Sequence, residues 1–252
     1  MLLTTLGVAS PASARHLIGN EPVVTVAGTG TGGAADDAGS TAAGSQLFYP
    51  YDVAVDHDSG SVYVLDTENH RIRRIDPLTG LIATVAGTGQ DGSSSDGTAT
   101  GTELGRPRNI GFGDGHLYIS DFYNYRVLEV DVVSGLLATV AGTGGDGDSD
   151  DHPTQPTALG SSLDGIQGVA IADGYLYIAD SYNNRIRSVD LDTGLITTIA
   201  GSGDRGFIGD GGPATDAELS LPGGVAVDND GHLYIADSGN HAIRRLDIDT
   251  GL

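Results

Sequence analysis

A short pattern, Y-x-x-D, begins at Tyr63, Tyr118, Tyr177 and Tyr234, with successive steps of 55, 59 and 57 residues. A second pattern, [VI]-A-G, begins at Val26, Val85, Val140 and Ile199, with steps of 59, 55 and 59. Two markers advancing together mean that four copies of one unit fill nearly all of the 252 residues. Such a chain cannot gather its apolar residues into one irregular core. Each unit must bury its apolar face against the next unit.

The unit itself reads as strands. "GVAVD" (224–228) alternates, "NDG" makes a tight turn, and "HLYIAD" follows with β-branched and aromatic residues. A turn around Asn240 precedes "AIRRLD", and "DTG" (249–251) is a third turn, leading in earlier copies to a strand such as "ITTIAG". No window sustains a 3.6-residue period, so no helix is expected. Four short antiparallel strands, repeated, form the pattern of a propeller blade. The expected fold class is therefore all-β: a propeller of four four-stranded blades over residues 21–252. Residues 1–20 are expected to be a leader or remnant signal peptide.

The fourth copy stops at "DIDTGL", where earlier copies continue into "IATVAGTG", "LATVAGTG" and "ITTIAGSG". "PVVTVA" (22–27) has the sequence of the missing strand. The expectation is that residues 23–27 pair with residues 242–247 and close the ring, leaving no open edge. The alternative is that these blades are part of a six-bladed ring.

The recurring stretches "LPGGVAVDNDGHLYIADSGNHAIRRLD", "YPYDVAVDHDSGSVYVLDTENHRIRRID" and "SYNNRIRSVD" resemble NHL repeats. The longer form with "GDGGPATDAELSLP" (209–222) resembles bacterial extracellular NHL repeats and the NHL propeller of teneurins. The resemblance implies architecture; the fold hosts many functions, so it does not imply one activity.

Charge narrows the partners. Acidic residues outnumber basic ones 34 to 12, every basic residue is Arg, and the net charge is −22. Such a field repels phosphate backbones, so nucleic acid is not an expected partner. No apolar run approaches the roughly 20 residues that span a bilayer. The start, "MLLTTLGVASPASA", combines an apolar run with a small-x-small site at Ala12-Ser13-Ala14, as in a remnant signal peptide, although it lacks a positive n-region. The expected location is secreted or cell-surface. The absence of cysteine leaves the redox compartment unread.

Residues that recur are read as structure. Asp66, Asp121, Asp180 and Asp237 end the second strand, Arg71, Arg126 and Arg185 begin the third, and Asn69, Asn124, Asn183 and Asn240 sit in the turn between them. The expectation is an Asp–Arg pair across each hairpin, with Asn in left-handed geometry. The histidines exchange with Tyr, Asn or Ser between units, which is turn or surface work rather than metal ligation.

Residues that vary between units are where one partner can be read. Tyr51, Arg108 and Gln167 align at the mouth of the innermost strand, and Phe122, Tyr123, Tyr125 and Tyr182 follow the recurring Asp or its turn. Aromatic residues mixed with Arg are the composition of binding hot spots. The expected function is a non-catalytic module that holds a protein, glycan or surface partner there. In the loop "GDGDSDDHPT", Asp146, Asp148, Asp150 and Asp151 offer hard oxygen ligands suited to Ca²⁺, without the Gly and distal Glu of an EF-hand. The alternative function is a propeller hydrolase or lyase with a metal ion in the central channel. Asp52 and Asn109 begin such a site, while Gly168 and Gly224 offer no ligand opposite.

Overall fold

The computed structural model describes residues 23–34, 39–147 and 156–252. The fold is an all-β propeller of four antiparallel blades. Blade one comprises β1 (Pro50–Val55), β2 (Val62–Asp66), β3 (Arg71–Ile75) and β4 (Ile82–Ala86). Blade two comprises β6 (Asn109–Gly113), β7 (His116–Asp121), β8 (Arg126–Asp131) and β9 (Leu136–Ala141), with the two-residue β5 (Gly97–Thr98) added outside β9. Blade three comprises β10 (Ile166–Ala172), β11 (Tyr175–Asp180), β12 (Arg185–Asp190) and β13 (Ile196–Ala200). Blade four pairs β14 (Pro222–Val227), β15 (His232–Asp237) and β16 (Ala242–Asp247).

Strand composition follows from burial on both sides. In β11, Leu176 and Ile178 pack in the core between blades two and three, while Tyr177 and Ala179 pack in the core between blades three and four. Both faces of the middle strands are covered, so their apolar residues run nearly without interruption. Each blade thus has a leading face toward the previous blade and a trailing face toward the next. Blade one contributes Ala54, Tyr63, Leu65 and Ile72 to the first such core, and blade two answers with Ile110, Leu117, Ile119 and Leu128.

Ring closure does not follow the sequence expectation. Residues 23–27 form no strand and do not pair with β16. Instead Ala27 packs at blade one beside Leu47, Val64 and Ile82. The innermost strands pack β1 on β6, β6 on β10 and β10 on β14, but β14 does not pack on β1 in the same way. With blades one and four apart, a strand held on blade one cannot reach the edge of blade four.

Candidate functional site

The recurring Asp is a buried hub. Asp66 Oδ1 accepts from Phe48 N at 2.6 Å, and its other oxygen accepts from Asn69 Nδ2 at 2.8 Å and Arg73 Nη1 at 3.2 Å. Asp121, Asp180 and Asp237 take equivalent bonds from Gly105 N, Asp164 N and Ser220 N, at 2.6–2.8 Å. The turn Asn also donates to the linker ahead of its blade, for example to Gly33 O and Gly92 O at 2.8 Å. This network ties each 3-10 turn to its neighbouring linker.

Two details differ from the sequence reading. The ion-pair partner is Arg73, Arg187 or Arg244, two residues beyond the position opposite the Asp; only blade two, with Leu128 there, uses Arg126. Arg71 and Arg185 donate to Thr88 O and Ser202 O instead. The left-handed residue is the one after the Asn: His70, Tyr125, Asn184 and His241, with φ near 50°. The Asn side chain is engaged in bonds, so the next residue makes the reversal.

The mouth of the array is shaped by bulges. The β1–β2 register skips Tyr51, and the β14–β15 register skips Gly223. A cavity of about 290 Å³ opens here, bordered by Tyr51, Asp52, Arg108, Asn109, Gln167 and Ser238. Four blades contribute to it. The Arg108 guanidinium carbon stands 4.5 Å from the Phe122 ring centre and 5.7 Å from that of Tyr51. Phe122 meets Tyr123 at 5.3 Å and Tyr182 edge-on at 6.1 Å.

The structure therefore brings Tyr51, Arg108, Phe122, Tyr123 and Tyr182 into one cluster, with Gln167 on the cavity wall. Phe122 is buried and serves as its floor, whereas Tyr51, Tyr123 and Tyr182 are exposed. Tyr182 lies over Gly165, where a Cβ would stand 2.6 Å from its ring. Tyr125 is half-buried at the left-handed turn position and makes no ring contact with the cluster. Sequence reading missed Arg106, which donates to Glu68 of blade one and stands 5.8 Å from the Tyr123 ring. Its signal was weak, because the linker position before Pro107 has no recurring identity.

Asp52 is held between blades. Its Oδ2 accepts from Asn109 Nδ2 at 2.5 Å and Ile110 N at 2.9 Å, and Asn109 Oδ1 accepts from Val169 N at 2.8 Å. Burial pushes the Asp52 carboxyl up, against backbone bonds from Ile110 and Val53 that favour its charged form. A Cβ on Gly168 would stand 2.7 Å from Gly224 Cα, so close backbone contact between blades three and four forbids a ligating side chain. This donor set does not fit a central metal ion: one carboxylate oxygen is already shared, and glycines face it.

Of the acidic loop, Asp148, Asp150 and Asp151 lie outside the described residues, and only Asp146 is within them. Among the described residues, Asp228, Asp230 and His232 gather potential ligand atoms within 4.8 Å. Asp228 already accepts from Asp230 N, His232 N and the His232 ring at 2.9–3.1 Å. The group is a hydrogen-bonded turn.

The NHL repeat model matches residues 219–246, which include the Asp237, Asn240 and Arg244 of blade four. The chain belongs to the teneurin NHL domain family, whose model matches residues 21–207. Protein SUPPRESSOR OF QUENCHING 1, chloroplastic, from Arabidopsis thaliana is 31% identical over 92% of this chain and 22% of its own length. Human teneurin-4 is 31% identical over 82% of this chain and 8% of its own. The chain thus spans about a fifth or less of these relatives. A solved Bacteroides ovatus structure, titled an auxiliary nutrient binding protein, superposes with a TM-score of 0.62 at 20% identity. That superposition covers 80% of this chain and 48% of the other, a likeness of fold alone.

Proposed function

We propose that the chain is a non-catalytic, extracellular binding module that holds a protein, glycan or surface partner at the mouth of the blade array. The observation that carries this reading is the cluster around Arg108. Arg108 stands over the exposed Tyr51 and the buried Phe122, and the exposed Tyr123 and Tyr182 pack against that Phe, on blades whose recurring polar residues are engaged in structure. Aromatic and Arg side chains at a concave, partly desolvated patch dominate binding energy, often about 2 kcal/mol or more each. A repeat array presents similar surfaces blade after blade, so one asymmetric patch is where a single partner is read. The Bacteroides ovatus neighbour, described as an auxiliary nutrient binding protein, is in keeping with binding on this fold.

Immobilised chain would be probed with a glycan array and a panel of secreted proteins. The Tyr123→Ala/Tyr182→Ala variant should lose affinity at least tenfold for whatever the parent retains, with an unchanged melting temperature. Equal retention by the variant would remove the site. The propeller hydrolase or lyase reading, which needs a channel metal, lacks support from the donor set around Asp52. Ca²⁺ at Asp146, Asp148, Asp150 and Asp151 stays a proposal, tested by whether added Ca²⁺ raises the melting temperature.

A further inference from the structure

The mouth cavity holds a cation that the rest of the chain does not neutralise. Among the described residues, every arginine except Arg108 and the exposed Arg245 donates to a carboxylate, a linker carbonyl or a serine hydroxyl. Its close neighbour Arg106 is one of these, paired with Glu68. Arg108 is half-buried and makes no hydrogen bond or ion pair among the described residues, in a chain where acids outnumber bases 34 to 12. Its guanidinium is held by the rings of Phe122 and Tyr51. Ring contact steadies the group without satisfying its five N–H donors.

The cavity wall adds a second group of this kind. Gln167 borders the same space, is half-buried, and has no side-chain hydrogen bond among the described residues. Ser238 Oγ donates to Ala236 O, which leaves its lone pairs to accept. Tyr51, 61% exposed, sets an apolar ring at the rim. The cavity, about 290 Å³, lies at the low end of small-molecule sites, roughly 300–1,000 Å³. That is room for one sugar-sized group and not for a folded segment.

We infer that this cavity takes a uronic acid residue of a glycan, its carboxylate held by the Arg108 guanidinium and the Gln167 amide, its ring against Tyr51. The inference rests on the binding reading above and names the ligand of that same site. A planar carboxylate accepts two parallel bonds from a guanidinium, and such charge-assisted pairs are the strong ones. Partial burial of Arg108 strengthens its attraction for an anion beyond that of a fully solvated cation. A single charge is selected over a phosphate or a sulfated cluster, because the net charge of −22 and Asp52 on the wall oppose each further negative charge. The sugar hydroxyls find acceptors in Ser238 and Asp52. An acidic peptide side chain would use Arg108 alone, since its short aliphatic stem has no flat face for the exposed rings of Tyr51, Tyr123 and Tyr182.

The test is calorimetric titration of the full chain with a galacturonic acid trisaccharide, with its methyl ester, and with a blocked Gly-Glu-Gly peptide, at about 0.15 M salt. The acid should bind, and the ester, which keeps the rings and loses the charge, should bind at least tenfold more weakly. Arg108→Lys should also weaken the acid at least tenfold, because an ammonium cannot form the planar fork. The same variant should leave the melting temperature and the affinity for the ester unchanged. Absence of trisaccharide binding would overturn the inference, as would equal binding of acid and ester, or a peptide held as tightly as the trisaccharide. The binding reading can survive that failure. A partner lost by Tyr123→Ala/Tyr182→Ala, yet held equally by Arg108→Lys and not displaced by the trisaccharide, would keep the site and overturn this ligand alone.

Discussion

At the scale of single residues, the recurring Asp shows what repetition can and cannot convey. Its structural role was legible, because Asp66, Asp121, Asp180 and Asp237 stand at one place in every unit. Its Arg partner was not. Residues opposite in register, such as Asp66 and Arg71, are neighbours by spacing, yet the side chain that enters the interior is that of Arg73. Arg71 and Arg73 stand two apart on one strand and so share a face, and spacing alone does not say which of two same-face arginines turns inward. The Asp66–Arg73 pair is fully buried on both sides. Removing one member of such a pair leaves an uncompensated charge and typically costs about 3–5 kcal/mol. Asp66→Ala should therefore lower stability by about that amount, because Phe48 N and Asn69 lose their acceptor with Arg73. Urea unfolding measures it. A loss below about 1 kcal/mol would mean that Arg73 is neutralised some other way.

At the scale of elements, strands and hairpin turns were the most legible features, because alternation and turn chemistry are local. Asp76, Asp131, Asp190 and Asp247 each accept two backbone N–H bonds, from the residues two and three positions on, at 2.8–3.2 Å. Much of the acidic composition is thus turn chemistry. The segment 23–27 has the sequence of a fourth strand, yet it forms no strand and does not pair with β16, since pairing depends on how far each blade rotates from the last and not on local pattern. The turns carry a pH dependence. In Asp228 the His232 backbone bond leads in lowering the carboxyl to about 2, from an ordinary 3.8. A depressed folded-state value adds stability that is complete above about pH 4 and disappears as pH falls through about 2. Asp76, Asp131 and Asp247 shift in the same direction through hydrogen bonds from their own turns. Asp52, raised by burial, acts in the opposite sense. Melting temperature should accordingly fall between pH 4 and pH 2, and Asp228→Asn should flatten part of that fall. An unchanged slope in the variant would show that this turn carries none of it.

At the scale of the whole molecule, blade number was readable and closure was not, because four local copies specify neighbours without specifying a total angle. The mouth cluster was partly readable for the same reason. Its aromatics stood out as departures from the repeat, but bulges at Tyr51 and Gly223 and the contact of Gly168 with Gly224 shape the cavity. Charge acts at this scale too. With a net charge of −22, the described fold brings exposed carboxylates together on every hairpin, and their mutual repulsion opposes compactness. The Debye length falls from about 30 Å at 0.01 M salt to about 10 Å at 0.1 M, which screens carboxylates on separate blades while leaving the buried pairs intact. Raising NaCl from 0.01 to 0.3 M should therefore raise the melting temperature by several degrees, at about 2–4 °C for each kcal/mol relieved in a chain of this size. The measurement belongs at low micromolar concentration, where association between chains does not contribute. A flat response there would show that local turn bonds, rather than the summed field, decide what these carboxylates do to stability.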